Sequence, residues 1–243
     1  MSTLIAKRIV LRLDPAQLHD AALARALDFA TAFHAELAAR MVADTRLATA
    51  LAVSGAKASD GMETQLRRAE SGFRRTLSAL VAGRQMAWSF DVVHCEGVLA
   101  QQSGAAPDDL IALELPRIEP SMAEFRRGIE DALAHARGVL LFPGAMEAPR
   151  GPVVAIIAHA SPPALVETSG EIAKALGLPL RVIEHNGTPD QAERREVSDI
   201  ATTVRRTRAA LAVIEAGDPV ATALLARPRY LREMAAPLLL LKT

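Results

Sequence analysis

Six histidines, at positions 19, 34, 94, 135, 159 and 185, and one cysteine, Cys95, are the side chains of this sequence best suited to moving protons or holding a metal. No two histidines stand four apart, as a ligand pair on one helix face would, so no metal centre is expected. His94-Cys95-Glu96 puts a thiol beside an imidazole at the end of an apolar segment, where a thiolate can be activated. Successive residues of a strand point to opposite faces, however, so the two side chains are poorly placed to pair, and Cys95 reads as structural. There is no Gly-x-Ser-x-Gly elbow. The carboxylates Asp108-Asp109 stand in a turn before an apolar run, where capping accounts for them. No reaction follows from these residues, and enzymatic activity is left unassigned, with the balance against it.

Binding residues are easier to nominate than catalytic ones. Open parallel sheets place ligands beyond the carboxyl ends of their strands. Asp14, His159 with Ser161, and Gly217 each follow a strand-like segment and precede a helical one. Asp14 before Pro15 is also a natural helix cap. Arg227, Arg229 and Arg232 surround Tyr230 and form a patch suited to an anion or a partner carboxylate. The other arginine groups, Arg67/Arg68/Arg74/Arg75 and Arg205/Arg206/Arg208, are accompanied by Glu63, Glu70, Glu193 and Glu196 and read as solvated helix faces.

The elements that must position these groups alternate along the chain. Arg8 to Asp14 is short and apolar, and from Ala16 to His34 apolar residues recur at three- and four-residue intervals, so a strand and then a helix are expected. Strands are predicted at 37–42, 87–94, 110–115, 138–142, 153–158, 180–185, 210–215 and 237–241. Helices are predicted at 61–80, 121–136, 163–176, 188–208 and 219–234. Such alternation favours right-handed crossovers and a parallel sheet. Between Pro143 and Pro152 proline and glycine are concentrated, which marks a boundary between residues 1–144 and 151–243.

Across that boundary the order begins again. Arg8-Ile-Val-Leu-Arg-Leu-Asp14 matches Val153-Val-Ala-Ile-Ile-Ala-His159, Leu110-Ile-Ala-Leu-Glu114 matches Leu211-Ala-Val-Ile-Glu215, and Ala136 to Phe142 matches Ala235 to Leu241. The second copy is shorter, with four predicted strands against five. A repeat of this length is a duplicated domain rather than a solenoid.

Composition excludes several partners. The 243 residues are 50% hydrophobic but only 3% aromatic, so the core must be aliphatic. Lys+Arg and Asp+Glu are balanced at 28 each, which leaves no long-range field for nucleic acid or an anionic membrane. A single cysteine allows no intrachain disulfide. The N-terminus carries no secretory pattern and no apolar run approaches the ~20 residues of a membrane span, so a cytoplasmic location is expected.

In its order of elements the chain resembles the universal stress proteins in their tandem form. That resemblance implies an α/β fold of two open parallel sheets of the adenine nucleotide α hydrolase type, with helices on both faces. It also implies pairing of the two units through their last strands, 138–142 and 237–241, as an internal pseudo-dimer, with a further homodimer conceivable. Many members bind ATP through an aspartate after the first strand and a Gly-x2-Gly-x9-Gly-Ser/Thr run after the fourth. Asp14 matches the aspartate, but Leu115-Pro-Arg-Ile-Glu-Pro-Ser121 contains no glycine. In the second copy His159 replaces the aspartate. Gly217 matches the first glycine, while Val220 and Tyr230-Leu231 stand at the later motif positions. Glycine lets backbone approach phosphates closely, so ATP is not expected and no other cofactor is implied. The expected role is a stress-protein-like module for ligand sensing or protein interaction that has lost the standard ATP site. The alternative is nucleotide binding in a nonstandard geometry, with at most slow ATP hydrolysis.

Overall fold

Nine strands form one sheet: β1 (Arg8–Leu13), β2 (Glu36–Asp44), β3 (Trp88–Cys95), β4 (Asp109–Glu114), β5 (Gly138–Phe142), β6 (Val153–Ala158), β7 (Leu180–His185), β8 (Leu211–Glu215) and β9 (Leu238–Leu241). The structure, a computed structural model, describes residues 5–13, 20–44, 58–95, 105–115, 122–143, 151–158, 163–185 and 192–242. The helices among them are α1 (Asp20–Ala32), α2 (Ala58–Val81), α3 (Met122–His135), α4 (Pro163–Leu176), α5 (Ala192–Arg206), α6 (Pro219–Leu225) and α7 (Pro228–Met234).

The strand order is β3-β2-β1-β4-β5-β9-β8-β6-β7. All neighbours are parallel except β5 and β9, which run antiparallel with Gly138 opposite Leu241 and Leu141 opposite Leu238. The carboxyl ends of β1, β2, β3, β4 and β5 therefore lie along one rim, and those of β6, β7, β8 and β9 along the opposite rim.

Period-two alternation divides the apolar residues between two faces. Ile9, Leu11, Leu37, Met41, Leu110, Leu140, Phe142, Val153, Leu211, Val213 and Leu239 pack against α1, α2 and α4. Ile111, Leu113, Val139, Leu141, Val154, Ile156, Ala212, Ile214, Leu238 and Leu240 pack against α3, α5, α6 and α7. The central strands are buried on both sides and so read as unbroken apolar runs, as in 138–142 and 238–241. Val10, Ala38 and Val42 alternate onto the second face but belong to neither cluster.

Where β1 and β4 begin, Arg8 donates to the buried Asp109 carboxylate through Nε at 3.2 Å and Nη2 at 2.6 Å. The same Oδ2 takes the Ala106 N–H at 2.7 Å. The hydrogen bond to Asp109 holds the Arg8 proton more tightly than usual.

One expected element is different. The single helix over 219–234 is two helices, α6 and α7. Pro228 has no N–H to continue the ladder, and it forces the preceding residue out of helical geometry. Arg227 accordingly has φ −140° and ψ 80°.

Candidate functional site

The β8–α6 connection is three residues long, Ala216-Gly217-Asp218. Asp218 adopts extended geometry, φ −66° and ψ 135°, and caps α6, its Oδ1 accepting the Val220 N–H at 2.7 Å. Pro219 follows at the first helical position, where its missing N–H costs nothing. A strand end, one flexible residue, an aspartate and a proline thus suffice to turn the chain directly into a helix.

The other carboxylate oxygen of Asp218 meets His185, the last residue of β7, at 3.0 Å from Nε2. β6 lies between β7 and β8 in the sheet, so this pair spans the carboxyl end of β6. The two side chains are 1% and 2% exposed. An ionised Asp218 accepts at both oxygens, which places an imidazole hydrogen on Nε2; in the neutral ring Nδ1 is then the acceptor. Among the described residues Nδ1 is buried with no hydrogen-bond partner. Glu184, next to last in β7, and Glu215, last in β8, alternate onto the other face, the side where Leu180, Leu211 and Val213 pack.

The nominated residues are distributed as follows. Gly217 is exposed at this rim, with open space where a Cβ would stand. Arg227, Arg229, Tyr230 and Arg232 come later in the chain. They belong to α7 and the residue before it, beyond the whole length of α6, about 10 Å of helix. Arg229 donates to the Tyr230 hydroxyl at 3.1 Å and lies over its ring at 4.8 Å from the centroid. Arg227 has a buried Nη1 with no hydrogen-bond partner among the described residues, and Arg232 is half-buried. Asp14, His159 and Ser161 lie outside the described residues, as does 116–121 after β4. Val220, Tyr230 and Leu231, placed by the resemblance at phosphate-loop positions, are 3%, 6% and 2% exposed and belong to the second apolar cluster.

Among the described residues no three His, Cys, Asp or Glu side chains are grouped to hold a metal ion. None of the described helices is long and apolar enough to cross a membrane. The arrangement ties the end of β7 to the start of α6 and holds a buried imidazole at the sheet rim.

No family model matches the chain, and no curated protein matches it. Two solved structures do resemble it over nearly their full lengths. A functionally unknown protein, PA1789 from Pseudomonas aeruginosa PAO1, superposes with a TM-score of 0.62 at 15% identity, covering 98% of this chain and 92% of its own. A universal stress protein from Archaeoglobus fulgidus DSM 4304 gives a TM-score of 0.51 at 12% identity, with 96% of each chain covered. At such identities the likeness is one of fold, and it agrees with the α/β architecture of a mostly parallel sheet flanked by helices expected from the order of elements.

Proposed function

We propose that the chain is a tandem universal-stress-protein-like module, with units at 1–144 and 151–243, that senses a ligand or engages a partner inside the cell and catalyses no reaction. What carries this reading is the β8–α6 connection. Strand passes to helix through Ala216-Gly217-Asp218 alone, and the residues that would form a glycine-rich phosphate loop, Val220, Tyr230 and Leu231, are core residues. Backbone N–H groups that would face phosphates are engaged instead, that of Val220 by the Asp218 carboxylate and that of Tyr230 by the Arg227 carbonyl. Ligand recognition in the second unit then falls to the rim around Gly217 and the His185–Asp218 pair.

Nucleotide binding in a nonstandard geometry is the second reading, favoured by the buried Nη1 of Arg227, which has no hydrogen-bond partner among the described residues. Native mass spectrometry of the freshly purified protein, with a thermal-shift series in magnesium ATP, separates the two. The first reading expects a bare chain and an unmoved melting temperature. Co-purified ATP or AMP, or a concentration-dependent shift, overturns it in favour of the second.

A further inference from the structure

No further inference is drawn: the strongest candidate, the unpartnered Nδ1 of His185 at the carboxyl end of β7, belongs to the buried His185–Asp218 pair already described, and with Glu184 and Glu215 alternating onto the opposite face of the sheet nothing shows what it would bind.

Discussion

Asp218 serves two structures at once, the first turn of α6 through Oδ1 and the end of the outermost strand β7 through Oδ2. Asp218→Ala removes a helix cap, about 1 kcal/mol. It also leaves a buried imidazole N–H without an acceptor, about 1–3 kcal/mol. A loss of about 2–4 kcal/mol in urea unfolding is therefore expected. Asp218→Asn keeps the cap, and its amide N–H can donate to His185 once the imidazole changes tautomer, so it should lose less than half as much. Equal losses in the two variants would show that charge, not capping geometry, holds the rim. A loss below about 0.5 kcal/mol in Asp218→Ala, the level of an ordinary surface change, would show that the pair does not tie β7 down. The sequence made only part of this site visible. Gly217 stood out because glycine after a strand is a recognisable signal. The pair did not, since His185 and Asp218 are 33 positions apart and meet only because β7 and β8 flank β6. A local signal existed in Asp218-Pro219, the same aspartate-proline cap that drew attention to Asp14-Pro15.

Elements were more legible than contacts, because each of 138–142, 153–158, 163–176 and 180–185 is bounded by proline, glycine or a change of hydrophobic period. The split between α6 and α7 was missed for the opposite reason. Val220, Leu224, Leu231 and Met234 keep a near-helical spacing through Pro228, and the periodic signal masked the local breaker. Two glycines show how position within an element sets the sign of a substitution. Gly138 opens β5, and a Cβ there would stand 2.5 Å from the Leu240 carbonyl oxygen and 3.2 Å from Leu110 Cδ2. Gly138→Val should force β5 and β9 apart and cost about 1–3 kcal/mol, as overpacking does. Its signature would be faster hydrogen exchange at the β9 amides. Gly72, inside the 24-residue α2, meets nothing within 4 Å. Gly72→Ala should raise stability by about 0.5–1 kcal/mol through helix propensity alone. A neutral Gly138→Val would mean that the β5–β9 junction yields easily, and a destabilising Gly72→Ala would mean that α2 is strained at that point.

At the scale of the molecule, the antiparallel β5–β9 junction decides how the chain unfolds and whether it associates. Both apolar clusters cross it. Phe29 and Phe142 share the first with Leu165 and Leu239, the two rings being 6.4 Å apart, and Ile129 and Val139 share the second with Val197 and Tyr230. Separating residues 1–144 from 151–243 would open both cores and break the pairing of Gly138 to Leu141 with Leu238 to Leu241. One calorimetric transition is therefore expected, with equal calorimetric and van't Hoff enthalpies. Two resolved transitions would instead show that the halves are independently stable. The same junction uses up the strands through which the resemblance would pair two molecules, leaving β3 and β7 at the sheet's outer ends. β7 exposes Arg181 and Glu184, charges of the kind that discourage edge-to-edge association. Light scattering after size exclusion should thus give a mass near 25.9 kDa. A mass twice that would mean that an outer strand or a helical face joins two chains. Repeating the measurement on Val182→Lys, which adds a charge to the exposed face of β7, would separate those cases, since only association through β7 should be lost.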